Sequence, residues 1–258
     1  MRLCRFDAGA GPRHGVVEDG YVLDRDNPVE QYSLDEIRLL APVRPRKYLA
    51  IGLNYADHIA ESGMDAPGYP VFFNKQITCV VGPDADVHMP RVSSLLDYEG
   101  ELAVVIGARC RHVPVARAHE VIAGYTIGND VSVRDWQIRT PTMTMGKSFD
   151  THGPTGPWIV TADEVPDPHD LRLRTWVNDD LRQDSNTGDM IFNCFQQIAH
   201  LSTAFTLEPG DIVTTGTPSG VGMARNPPAW LVAGDTVRIT IDGIGILENP
   251  VIPEAEVG

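Results

Sequence analysis

Lysine and cysteine are both scarce in this chain, and each shortage narrows what it can be. Of 258 residues only three are lysine, at 47, 75 and 147, and 21 basic side chains face 35 acidic ones for a formal net charge of −14. Such a surface does not draw nucleic acid or anionic lipid by bulk electrostatics, so a small molecule or another protein is the expected partner. The four cysteines, at 4, 79, 110 and 194, form no C-x-x-C pair, which leaves neither a disulfide framework nor a thiolate zinc site signalled. No run approaches eighteen apolar residues, and the opening "MRLCRFDAGAGPRHG" has no apolar signal core. Neither a membrane span nor secretion is therefore expected, and the cytoplasm is the expected compartment. Also missing are a Gly-x-Gly-x-x-Gly after a strand, a phosphate-binding loop and internal repeats, so nucleotide folds and solenoids lack support.

What is present is enough for a proper core, since 42% of residues are hydrophobic. Residues 1–45 read as a small N-terminal β unit. It comprises "RLCRF", then "HGVVEDGYVLD" with a turn at Asp19-Gly20, then "SLDEIRLLAP", where Ser33 as N-cap and Glu36 at the capping-box position predict a short helix. Residues 46–258 read as the main domain. Short strands such as "YLAIGL", "VFFNK", "ELAVVIG", "AGYTIGND", "GPWIVT", "DIVTTGT" and "DTVRITIDGIG" are parted there by Gly, Pro and Asp clusters. Two helices are expected, over "PVARAHEVIAG" and over "DMIFNCFQQIAHLSTAF", where Ile191, Phe195, Ile198 and Leu201 recur at helical spacing. The class is β-rich α+β.

One stretch stands apart. In "DYEGELAVVIG" the acids Asp97, Glu99 and Glu101 lead at every second position into the apolar block Leu102–Ile106. Side chains alternate along a strand, so Glu99 and Glu101 share a face. Two carboxylates this close at the entrance to a core repel each other unless a cation lies between them, and a hard divalent ion is the usual remedy. The competing explanation is a solvated edge strand whose charges discourage aggregation. A third oxygen is offered by Asp130, which ends the apolar strand of "AGYTIGNDVSVRDWQ"; Asp135 is a rival, but its neighbours suit it to a salt bridge or a cap. Lys147, between Gly146 and Ser148, reads as a placed ammonium.

These residues carry a resemblance. "AIGLNYADHIAESG", "VFFNKQITCVVGP", "DYEGELAVVIG", "GYTIGNDVSVRDWQ", "GKSFDTHGPTGPWIV" and "LEPGDIVTTGTPSGVG" stand in the order found in the fumarylacetoacetate hydrolase family, from about residue 46 onward. The resemblance implies a mixed β-sheet roll or barrel with few helices, diketo or keto acid substrates, and a divalent metal held by two glutamates and an aspartate. By motif these are Glu99, Glu101 and Asp130, with Mg²⁺ or Mn²⁺ as the ion. It also implies a homodimer, and the "IFNCFQQIAHLSTAF" helix, apolar on more than one side, suits packing against both a core and a partner.

His58 and Glu61, three residues apart, share a helical face, so the carboxylate can polarise the imidazole. The resemblance gives that pair the task of activating water. Lys147 would steady the substrate's oxygens or lock the ligand carboxylates. Gly216 and Thr217, in "TTGTPSG", would offer an amide and a hydroxyl to a substrate carboxylate, and Gln137 would line the pocket. Met143 and Met145 would form an adaptable apolar wall, Arg134 and Arg139 would add local positive charge, and the role of Lys75 stays open. The expected reaction is hydrolysis of a carbon-carbon bond in an acylpyruvate-like diketo acid; the open alternatives are decarboxylation of an oxaloacetate-like acid, isomerisation of a hydroxymuconate-type diene, and ligand binding without catalysis.

Overall fold

A computed structural model describes residues 1–256. The chain is mostly β, with one large mixed sheet of twelve strands and a second of five. From one edge the large sheet runs Gln31–Ser33, Tyr21–Asp24, Pro12–Glu18, Arg2–Asp7, Gly153–Thr161, Ile122–Asn129, Gly100–Ile106, Ile212–Thr214, Tyr48–Gly52 and Val71–Lys75. Arg38–Leu40 and Val80–Val81 join off this path. The order has two free ends, so the sheet curls around the core without closing into a barrel. The second sheet, Asp180–Asn186, Arg172–Val177, Thr236–Ile241, Gly245–Pro253 and Val87–Met89, packs with it around one large apolar cluster.

The strand Gly100–Ile106 lies at the centre and is buried along its whole length. Leu102, Val104 and Ile106 enter the large cluster, together with Ile239 from the second sheet and Ile198 and Leu201 from the helix Cys194–Ala204. Ala103, on the opposite face, meets Tyr48, Cys79 and Ile212. Burial on both faces explains why this strand reads as a continuous apolar run instead of an alternation. Each fully buried Leu, Val or Ile contributes about 1.5–3 kcal/mol, which anchors the strand that carries the acids.

Local signals explain some elements and mislead on others. The expected turn at Asp19-Gly20 is present, both residues having positive φ (49° and 85°) between Pro12–Glu18 and Tyr21–Asp24. The helix Cys194–Ala204 starts behind a reciprocal cap: Asn193 accepts from the Gln196 amide, and the Gln196 side chain accepts from the Asn193 amide. Ile191 therefore lies outside the helix, and Phe195 is covered within the chain by His119 and His169. The helix expected at "SLDEIRLLAP" is only a single 3-10 turn, Leu34–Glu36, and Ser33 makes no side-chain cap. Its capping signal has no helical apolar run behind it, and residues 38–40 instead pair with Arg2–Asp7. Over "PVARAHEVIAG" the chain forms a 3-10 helix, Val115–Val121, because Ile122 already begins the next strand. No helix among the described residues is long and apolar enough to cross a membrane.

Candidate metal centre and catalytic pocket

The ends of two neighbouring strands build the site. Gly100 pairs with Asn129, so Glu99 and Glu101, flanking Gly100, meet Asp130, which follows Asn129. The three carboxylates each offer an oxygen, all within 4.8 Å of one another, and all three residues are buried. Asp97, though two residues before Glu99, is not part of this triad. It accepts from the Gly222 and Met223 amides and from the Arg134 guanidinium.

Cations pack the group from outside. Lys147 Nζ donates to Glu99 Oε2 and Asp130 Oδ2 at 2.7 Å each, and Lys75 Nζ donates to Asp130 Oδ1 at 2.5 Å. Arg134 Nη1 donates to Glu99 Oε1 at 2.6 Å and to Gln137 Oε1 at 2.9 Å. Lys147 reaches the site because residue 146 is glycine: a Cβ there would meet the Gln137 amide nitrogen at 2.2 Å. Gly216, at φ +100°, would set a Cβ 2.7 Å from that of Asn54, and its amide donates to Glu101 Oε2 at 2.9 Å.

The count leaves one acid over. Four buried carboxylates (Asp97, Glu99, Glu101, Asp130) face three buried cations (Arg134, Lys75, Lys147), and Glu101 forms no ion pair. Glu101 Oε1 is buried without any hydrogen-bond partner. Burial pushes the Glu101 carboxyl well above the usual range, and the charges of Asp130 and Glu99 push it further. Burial also acts upward on Glu99, but the charges of Lys147 and Arg134 outweigh it and hold that carboxyl at about 2. Lys147 keeps its proton despite burial because Asp130 and Glu99 face it. An oriented, uncompensated oxygen among hard oxygen donors fits a divalent cation, which prefers a few carboxylates with room left for water and substrate. Glu99, Glu101 and Asp130 can hold one.

A pocket of about 380 Å³ opens beside Glu99 and Lys147. The helix Ala56–Ser62 sits at its rim and brings His58 Nδ1 to 2.7 Å from Glu61 Oε1. This helix is tied across the pocket to the loop after Pro218: Asp57 accepts from the Ser219 hydroxyl and Glu61 Oε2 from the Gly220 amide. With Nδ1–H directed at Glu61, the imidazole presents Nε2 as an acceptor. Leu53, Met64, Ile138, Met143 and Met223 give the pocket apolar walls.

Several expected residues have other surroundings. The Gly216 amide assigned to a substrate carboxylate is spent on Glu101, because the turn folds under the acidic strand and not toward the pocket. Thr217 lines the pocket, but its hydroxyl donates to the Gly100 carbonyl and accepts from Gln183. Gln137 lines the pocket beside Arg134, and Met143 is a wall as expected, whereas Met145 points outward, 56% exposed. Arg139 stacks on Trp136 and pairs with Asp135, which settles Asp135 as a salt-bridge residue outside the triad. Arg134 is locked among acids. Sequence reasoning left Lys75 without a role and missed the Arg134–Asp97 pair; the scarcity of lysine was the only signal for the first.

His152, in the same motif as Lys147, is buried against Phe149, with Nε2 bonded to the His88 carbonyl at 2.8 Å. Burial pulls its pKa from 6.5 to about 4. The unfolded chain therefore binds this proton first, so the stability held above the unfolded value is lost as pH falls through 6.5 toward 4. The loss is on the order of 3 kcal/mol. Urea midpoints measured across this window are expected to fall steeply in the wild type and less so in His152→Gln; parallel slopes would refute the assignment.

A triad of buried carboxylates and a His-Glu pair at the rim of one pocket thus lie at the end of a curled β-sheet. The chain belongs to the fumarylacetoacetate hydrolase family: residues 47–252 match the model described as Fumarylacetoacetate (FAA) hydrolase C-terminal, and residues 1–42 match one described as Rv2993c-like, N-terminal. A Burkholderia ambifaria (strain MC40-6) protein with a generic hydrolase name is 50% identical over 95% of this chain and 96% of its own length. The 5-carboxymethyl-2-hydroxymuconate delta-isomerase of Mycobacterium smegmatis superposes with a TM-score of 0.89 at 42% identity, covering 99% of this chain and 100% of its own. The maleylpyruvate hydrolase of Sphingobium sp. SYK-6 superposes with a TM-score of 0.83 at 34% identity, covering 98% and 100%.

Proposed function

We propose that this protein is a divalent-metal-dependent hydrolase that cleaves a carbon-carbon bond in a diketo acid of the acylpyruvate or fumarylpyruvate type. The observation that carries the reading is the His58–Glu61 contact of 2.7 Å at the rim of the pocket into which Glu99 and Lys147 also project. A Mg²⁺ or Mn²⁺ ion held by Glu99, Glu101 and Asp130 would supply a Lewis acid for two substrate oxygens and for the enolate charge that develops as the bond breaks. His58 Nε2 takes a proton from water, while Glu61 holds the ring and balances the imidazolium. Water oxygen bonds to the acyl carbon, the bond to the pyruvate carbon breaks, and that carbon regains a proton. The products are pyruvate and a carboxylic acid. Lys147 keeps Glu99 and Asp130 aligned throughout, and the Met64, Met143 and Met223 walls receive the acyl group by dispersion and hydrophobic burial.

A second reading, isomerisation of a hydroxymuconate-type diene, is favoured by the isomerase name of the Mycobacterium smegmatis neighbour. Product analysis separates the two. With an acylpyruvate panel and Mg²⁺ or Mn²⁺ the expected result is loss of diketo absorbance with equal amounts of pyruvate and acid, abolished by EDTA. Interconversion of hydroxymuconates without cleavage of either substrate class would replace hydrolysis with isomerisation, and carbon dioxide from oxaloacetate alone would point to decarboxylation.

A further inference from the structure

The described residues contain four buried side-chain cations, and three have carboxylate partners: Lys75 with Asp130, Lys147 with Glu99 and Asp130, and Arg134 with Asp97 and Glu99. The fourth is Arg5. It stands on the strand Arg2–Asp7, is 7% exposed, and its one recorded partner is a neutral carbonyl: Nη1 donates to Ala41 O at 2.8 Å. A buried guanidinium without a countercharge is costly, and the other three buried cations among the described residues each have one.

Arg5 faces a second cleft of about 360 Å³, between the N-terminal strands and residues 77–85, which shares no lining residue with the metal pocket. Arg44 lines the same cleft and has no recorded ion pair; burial and the charge of Arg44 both lower the pKa of Arg5, so the two cations feel each other across a space that holds no acid. Arg38 stands at the margin with a loose contact of 3.6 Å to Asp7. The remaining walls are apolar: Leu39, Leu40, Val43, Ile77, Val80 and Val81. On a chain of net charge −14, a cleft that places a buried arginine and an exposed one together without an acid in its lining stands apart.

We propose that this cleft binds a small organic anion, a carboxylate carried on an apolar body, with Arg5 and Arg44 as its receptors. A guanidinium takes a carboxylate through two parallel hydrogen bonds, and Arg5 has donors left after its bond to Ala41. The apolar walls favour an organic body over a bare inorganic ion, and the volume suits a single ring or a short chain.

Sodium benzoate, benzyl alcohol and inorganic phosphate are the probes, each titrated calorimetrically into the full chain in EDTA so that bound metal does not gather carboxylates at the catalytic pocket. Benzoate is expected to bind saturably with a dissociation constant on the order of 1 mM, and benzyl alcohol, the same body without charge, is not. Arg44→Ala, an exposed position, is expected to weaken benzoate about tenfold, and Arg5→Gln to remove binding. Should Arg5→Gln fail to fold, Arg44→Ala decides alone. Equal benzoate affinity in wild type and Arg44→Ala, absence of saturable benzoate binding, or tighter binding of phosphate than of benzoate would each overturn the proposal.

Discussion

Glu101→Gln is expected to lower affinity for Mg²⁺ or Mn²⁺ by more than about 100-fold while leaving the metal-free protein more stable, by about 1 kcal/mol. The two effects have one cause. Glu101 is a buried carboxyl whose Oε1 finds no donor and which has Asp130 and Glu99 for neighbours, so without a cation it either carries an unpaired charge or holds a proton. A glutamine keeps the acceptor that the Gly216 amide requires and removes the charge. Removing an acid from a balanced network would destabilise; removing the unbalanced one relieves it. With metal present the order reverses, because ligand binding to the folded state adds about 2.7 kcal/mol when the ion stands at a hundred times its dissociation constant, and only the wild type collects that gain. Thermal melts with EDTA and with saturating Mg²⁺, beside calorimetric metal titration, test both halves. Unchanged metal affinity would remove Glu101 from the ligand set.

His58→Ala is expected to reduce turnover of an acylpyruvate by roughly 10²- to 10⁴-fold with metal affinity unchanged. The imidazole is not one of the clustered oxygen ligands, and its polar partner is Glu61, so its loss empties the rim of the pocket while Glu99, Glu101 and Asp130 all remain. The informative companion measurement is exchange of substrate carbon-bound protons with deuterated solvent. If exchange survives in His58→Ala while hydrolysis is lost, enolisation belongs to the cation site and water activation to the His-Glu pair. Wild-type turnover in the variant would end the role proposed for His58.

Legibility in the sequence follows the range of the forces involved. Glu99 and Glu101 were readable because strand alternation is local and the apolar block after them fixes the strand; Asp130 was readable because an acid closes an equally apolar strand. Antiparallel pairing of Gly100 with Asn129 then brings the three together. His58 and Glu61 needed only one helical turn. What stayed hidden is long-range. Arg134 reaches back 37 residues to Asp97 and Lys75 reaches forward 55 to Asp130, and no local pattern announces either pair. The Gly216 turn reads identically whether its amide faces a substrate or Glu101, since the direction is set by a strand 115 residues away. At Ser33 the reverse holds: a clear capping signal is lost because Ser33 itself pairs with Tyr21 and residues 38–40 pair with Arg2–Asp7, tertiary interactions stronger than the cap.

The strand Arg2–Asp7 lies against Gly153–Thr161, with Arg2 opposite Val160 and Leu3 opposite Ile159. A chain shortened to begin at residue 46 would keep the acidic triad, Lys75, Lys147 and the His-Glu pair, yet would bare the flank of a long apolar strand and the face of Trp158. An uncovered flank of that kind recruits other chains edge to edge. The first forty residues thus continue the sheet past that flank with five of its twelve strands, and their loss would be met first as precipitation in the test tube, before any deficit in chemistry could be measured.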